Sequence, residues 1–404
     1  MDARGFTGLL AELCRAGAES HMIYEAARGD LPDSLASTVR STGLHGGTGE
    51  GDWTRVLPGL VASIQPQTIW VHDDVHGQVT QWLNHPNRPY GLWWWLHDHR
   101  MSCLTGLRAR PGDREWLCSK PLSIDCFGEI ELKCCLCSPP DRRRAFLFTD
   151  YLSRINQLLV LPSVDHVIVQ NEYMADMLAL NCPDGVSRVR VVPGIVSSGN
   201  RRGHAPRKKR NRREVLFHGS LSPESGLHLA IRALAEVYAD LPVLFHIIAE
   251  GNDTQYFDLC VKLAAKSQAK NSTLSIQFED CDSASCVQDL YRDADVVVMP
   301  DQWGAVSNVP AARAIMAGAA VVTTGVGAPG TLLRQTGFLV GNNQAELAEG
   351  IWTLLIDSDL RNSIVRQGMH QVRRYFSPER QLEEIRTLIA EHAAPALHHP
   401  VVVN

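Results

Sequence analysis

A chain of 404 residues, 45% apolar and 21% charged, has the makeup of a globular protein with material for large cores, and two domains of about 200 residues each is the natural division. A formal net charge of −5 leaves nothing global to attract it to nucleic acid or an anionic bilayer, so any polyanion binding must be local. The densest apolar run, Tyr90 to Leu96, is far short of the roughly 20 residues a membrane-spanning helix needs and reads as a buried strand.

The N-terminal segment carries Glu12 inside its apolar turn and lacks a long hydrophobic core, which argues against a secretory signal. The expected location is the cytoplasm, with peripheral contact at a membrane left open. Gly5 to Ala16 has helical spacing, and the chain enters it without an evident first strand. Met22 to Tyr24, Thr68 to His72, Gly91 to His97, Val167 to Gln170 and Val189 to Val192 read as strands, and Asp141 to Leu159 and Glu172 to Leu180 as helices. The Gly-rich run at 43–51 has no strand before it in this reading and is taken as a loop. Six of the eleven cysteines (Cys103, Cys118, Cys126, Cys134, Cys135 and Cys137) crowd one loop-like stretch. In a reducing compartment that pattern favours free thiols or metal ligation over disulfides.

Residues 201–213 hold eight Lys or Arg among thirteen positions and cannot bury a face, so they read as an interdomain linker. A second strand–helix alternation then runs to about residue 340, and three helices close the chain. Expected bounds are 1–200 for the first Rossmann-like domain, 214–375 for the second, and 376–404 for a helix returning to the first. Strands that enter Gly-containing turns before helices collect backbone N–H groups at the carboxyl edge of an open sheet, the place where such sheets bind ligands.

Three blocks carry a likeness to a known family: FHGSLSPESGLHLAIRAL at 217–234, LFHIIAEG at 244–251, and LYRDADVVVMPDQWGAVSNVPAARAIMAGAAVVTTGVGAPGTLLRQTGFLV at 290–340. They resemble the donor-binding domain of retaining family 4 glycosyltransferases, and WLHDHRMSC at 95–103 looks like the His-Asp loop of the first domain. The resemblance implies a GT-B fold, two Rossmann-like domains facing each other across a cleft. It also implies transfer of a sugar from a nucleotide-sugar co-substrate to a hydroxyl or amine acceptor with retention, with no cofactor or metal required for catalysis. Under it, Gly219, Ser220, Ser225 and Gly226 flank the phosphates, Glu250 and Gly251 the base, and Asn308, Val309 and Arg313 the sugar-phosphate end. His97 and Asp98 are the catalytic candidates from the opposite lobe, and Asp73 and Asp74 the acceptor candidates. The spacing of Cys103, Cys118, Cys134 and Cys137 is similar to that of some members and implies a structural zinc, with unligated thiols as the other reading.

The sequence departs from the family at the donor site. Ser220 and Ser225 stand where the resemblance expects an Arg and a Lys, and Ala305 and Arg313 where it expects two Glu. A neutral hydroxyl gives about half the bond of a charged donor. Arg313 on its helix is read either as the replacement cation or as a solvent-facing side chain. The alternative function is a catalytically inactive homologue that acts as an accessory or binding subunit. No nucleic acid partner is expected.

Overall fold

Strand–helix alternation resolves into three parallel sheets in the computed structural model, which describes residues 21–25, 40–44, 52–72, 78–108, 117–129, 134, 148–194, 196, 211–236, 241–281, 283–334 and 337–393. The first half runs β1 (His21–Glu25), β2 (Arg40–Leu44), α1 (Asp52–Ile64), β3 (Thr68–His72), α2 (Gln78–Leu83), β4 (Gly91–Trp95), α3 (Ile124–Glu129), α4 (Phe148–Val160), β5 (His166–Val169), α5 (Glu172–Ala179) and β6 (Val189–Val191). β1 and β2 form a two-stranded parallel sheet, and β3 to β6 a four-stranded parallel sheet in sequence order.

The second half runs β7 (Arg213–Ser220), α6 (Leu227–Ala235), β8 (Val243–Glu250), α7 (Thr254–Lys270), β9 (Leu274–Phe278), α8 (Ala284–Asp293), β10 (Val296–Met299), α9 (Val309–Ala317), β11 (Ala320–Thr323), α10 (Ala328–Leu333), β12 (Phe338–Leu339), α11 (Gln344–Ile356), α12 (Ser358–Tyr375) and α13 (Pro378–Ala393). Its sheet has the order β12-β11-β10-β7-β8-β9, all parallel. Strand order reverses between β7 and β10, and a ligand crevice opens at such a switch point because the two flanking loops leave in opposite directions.

Burial follows from this layering. β10 and β11 are buried at every position because helices cover both faces of a parallel sheet. α6 turns Leu227, Ala230, Ile231 and Leu234 inward at helical spacing. In β4 the side chains alternate: Trp94 enters one core with Leu83 and Leu92, while Trp93 and Trp95 enter another with Ile168 and with Ile385 and Leu388 of α13. All three tryptophans are at most 1% exposed, so they are packing residues and present no platform to a sugar.

The sequence reading needs two adjustments. A strand, β2, does precede the Gly-rich run; its sequence RSTGL has neither alternation nor bulky β-branched residues to announce it. β4 ends at Trp95, before His97. α4 is described from Phe148, and the expected Gly5–Ala16 helix and most of the basic linker lie outside the described residues.

At the switch point Gly226 ends a short 3₁₀ turn (Pro223–Ser225) with φ of 72° and starts α6. A Cβ there would lie 1.9 Å from the Pro300 carbonyl oxygen. Gly226→Ala is therefore expected to cost about 2–5 kcal/mol, from the left-handed backbone and the overpacking together, read as a lowered urea midpoint.

Candidate active site

The loops after β7 and β10 are locked together. Beside the Gly226–Pro300 contact, the Gln302 amide donates to the Glu224 carbonyl at 2.8 Å. Ser225 is 3% exposed and its hydroxyl donates to the Ser222 carbonyl at 2.8 Å, so it holds the turn, where the sequence reading set it beside the phosphates. Ser220 is exposed at the end of β7, with its Oγ 3.3 Å from that of Ser222. Gly219 precedes it, and a Cβ there would come within 3.0 Å of the Phe217 ring.

Glu250, at the end of β8, accepts the Leu221 amide on its carbonyl at 2.7 Å, and Gly251 follows with φ of 141°. The Glu250 carboxylate lies 3.3 Å from His218 Nε2, while His218 Nδ1 lies 2.9 Å from the Tyr291 hydroxyl of α8. Burial raises the Tyr291 phenol, the Arg313 guanidinium lowers it, and Glu250 raises it again, so all three share one electrostatic neighbourhood. The fold thus brings together the expected Glu250 and Arg313, and joins to them His218 and Tyr291, which the sequence reading passed over.

α9 points its N-terminus at this edge. Asn308 precedes it, 2% exposed, with no side-chain bond to the helix and with Oδ1 lacking a partner; the Val309 amide instead donates to the Ser307 hydroxyl oxygen at 3.3 Å. The Val309 N–H is thereby filled and Pro310 has none, so what this N-terminus offers an anion is chiefly its dipole. Asp301, straight after β10, is another residue the sequence reading did not single out. Burial pushes its carboxyl up to about 7, against a 3.2 Å bond from the Trp303 indole that lowers it.

On the first lobe His72, His97 and Gln170 meet at the carboxyl ends of β3, β4 and β5. Gln170 Nε2 donates to His97 Nδ1 at 3.4 Å, which puts the His97 proton on Nε2, from where it is given to His72 Nδ1 at 2.8 Å. Burial lowers His97 to about 3 and His72 well below its usual value, so both rings are neutral. Asp98 accepts the Arg100 amide at 2.7 Å and pairs with its guanidinium, ordering the next turn. Asp73 and Asp74 lie outside the described residues.

The lobes meet over the loop that follows β10. Gly304 donates to the Leu107 carbonyl at 2.7 Å, and Asn171 Nδ2 to the Val306 carbonyl at 2.7 Å. Asn171 is wholly buried and its Oδ1 also caps α5 by accepting the Met174 amide at 3.0 Å. His99 and Tyr173 stack edge to face beside this loop, with His99 Nε2 and the Tyr173 hydroxyl buried and without partners.

Among the described residues Cys103, Cys118 and Cys134 form no disulfide, and Cys103 Sγ lies 3.3 Å from the Thr105 hydroxyl. Among the described residues no three His, Cys, Asp or Glu come together as a metal site, and Cys137 is not described. A disulfide joins Cys281 and Cys286 outside the crowded stretch.

The four- and six-stranded parallel sheets, with carboxyl edges that meet across one seam, have the GT-B arrangement. Residues 212–357 match the family of glycosyl transferases group 1. "Putative glycosyltransferase YtcC" of Bacillus subtilis (strain 168) is 24% identical over 263 residues, 58% of this chain and 62% of that protein. A glycosyltransferase from Rickettsia africae ESF-5 superposes with a TM-score of 0.70 at 13% identity, over 97% of this chain and 95% of the other. Anabaena Alr3699/HepE, solved in complex with UDP and glucose, gives 0.65 at 14%, over 96% of each chain. At such identities the solved structures speak for the fold.

Two outcomes follow from the geometry. Asn171→Ala removes a helix cap and an interlobe bond together and is expected to cost about 2–3 kcal/mol by urea unfolding. Asp301 has a folded-state pKa raised from its ordinary 3.8, so the stability it contributes is complete below pH 3.8 and is lost as pH rises through 7. Asp301→Asn should therefore match the wild type in acid and gain on it through neutrality, checked by unfolding midpoints across that range.

Proposed function

We propose that the protein moves a glycosyl unit from a nucleoside-diphosphate sugar, with uridine diphosphate as the carrier, to a hydroxyl or amine of a sugar, glycolipid or small-molecule acceptor, with retention. The observation that carries this reading is the convergence of the α9 N-terminus, the Arg313 cluster and the β7 turn on the switch-point edge of a group 1 glycosyltransferase domain. Support for the nucleotide comes from Anabaena Alr3699/HepE, whose structures hold UDP or UDP-glucose.

In this reading the diphosphate rests on Gly219, Ser220, the Gly226 turn and the backbone before Val309, with Ser225 keeping that turn in shape. Glu250 and Gly251 border the base. Arg313 supplies the positive charge that the family places elsewhere, and Asn308 reaches the sugar-phosphate end. The C1–O bond to phosphate breaks as the acceptor oxygen bonds C1 on the same face. The acceptor proton passes to the departing phosphate oxygen, so the protein need provide no nucleophile and no metal. His97 offers a neutral ring to the sugar once it gives up one of its two internal bonds, and Asp98 fixes the loop that carries it. Asp73 and Asp74 are the acceptor-side candidates.

The second reading, an inactive accessory subunit, is favoured by one observation: Ser225, where a cation is expected, has its hydroxyl committed to the Ser222 carbonyl. Calorimetry with UDP separates the two. Wild type is expected to bind below millimolar, and Arg313→Ala about ten- to a hundred-fold more weakly, the worth of one charge-assisted contact. Absence of binding at millimolar UDP would favour the accessory subunit, and an unchanged affinity in Arg313→Ala would remove that residue from the site.

A further inference from the structure

α12 has two faces of opposite character. One buries Arg361, Val365, Gly368 and Val372 in a single helical stripe. The other exposes Arg366, His370, Arg373 and Arg374, which together with Met369 line an open groove of about 530 Å³.

Other arginines of this region have internal work. Arg361 donates to the Leu355 carbonyl at 3.3 Å and faces Asp295 at 3.9 Å. Arg380 lies 4.8 Å from the centre of the Tyr375 ring and 3.9 Å from Glu384. Arg366, Arg373 and Arg374 have no such contact: among the described residues none has a carboxylate within ion-pair distance. A row of uncompensated guanidinium groups is unexpected on a chain of net charge −5.

Geometry indicates what such a row would meet. From 366 to 374 the helix rises about 12 Å, longer than a single phosphate group. The charges lie on an open face with no buried donor among them, the arrangement of a surface that reads many phosphates loosely and not of a pocket that grips one. We propose that this face of α12 docks on an anionic phospholipid surface, independent of the sugar-transfer reading. Each arginine near such a surface strengthens partition by roughly five-fold at moderate salt, so three give on the order of a hundred-fold. The attraction fades as salt shortens the screening length.

Co-sedimentation of the full chain with vesicles tests this. Binding is expected to vesicles of phosphatidylcholine mixed with phosphatidylglycerol, not to phosphatidylcholine alone, and to fall with added salt. Arg366→Ala/Arg373→Ala/Arg374→Ala should lose on the order of a hundred-fold, while the triple Lys variant retains most of it. An unchanged melting temperature shows that the Ala variant is folded; should it not be, the single variants, each losing roughly five-fold, carry the test. The Ala variant leaves the eight Lys and Arg of residues 201–213 intact. Equal binding by this variant and wild type would assign attraction to that stretch and overturn the proposal. So would no binding to either vesicle, or tripolyphosphate binding by calorimetry that the Ala variant abolishes while vesicles are ignored, which would point to a soluble polyanion.

Discussion

The Pro300 carbonyl oxygen sits where a side chain at residue 226 would begin, and much of the molecule depends on that approach. Because residue 226 is glycine, the turn after β7 can lie flat against the loop after β10, and the Gln302–Glu224 bond fixes the pair. That contact closes the bottom of the crevice at the switch point. Everything that lines the crevice above it, from Ser220 and Glu250 to the α9 N-terminus, is placed relative to this floor.

Burial then sorts the charges around the floor. His72 and His97 are held neutral on the first lobe, Tyr291 is kept as a phenol, and Asp301 is raised to about 7. The Glu250 carboxylate is 68% exposed, so water screens it. Positive potential at the edge comes from Arg313 and from the dipole of α9, which a low-dielectric wall strengthens. An edge of this kind is suited to a dianion even where the turn after β7 offers hydroxyls in place of cations.

Much of this was legible in the sequence because parallel strands buried on both faces announce themselves as apolar runs; VVVM and AVVT needed no context. The glycines at 226 and 251 were legible too, since one sits where a turn gives way to a helix and the other where a strand gives way to a turn, and each adopts positive φ. β2 was not, because RSTGL owes its extension to pairing with β1 and not to its own residues. His218, Tyr291 and Asp301 were missed for another reason. Each is ordinary in its own segment, and their contacts span from two to 73 residues of sequence, so only folding makes them neighbours or buries them. Asn171 carried a readable signal as the polar residue before Glu172 and a helix, but nothing local foretold its second bond to Val306.

The seam between the lobes also bears on the position where the family resemblance expects a carboxylate and this chain has Ala305. Its neighbour Gly304 is enclosed: a Cβ there would come within 2.5 Å of the Tyr173 hydroxyl and 2.8 Å of Arg108 Cβ. Ala305 itself is 6% exposed, its carbonyl receives the Ala328 amide at 2.7 Å, and Gly327 presses against its backbone so closely that a Cβ would fall 2.4 Å from its nitrogen. A glutamate in so tight a seam would bring a charge with little water to solvate it, and overpacking would add to that cost. The small residue and the close docking of the lobes therefore belong together. The loop after β10 is held by its backbone from both sides, so its geometry is a property of the assembled pair of lobes and not of the second lobe alone.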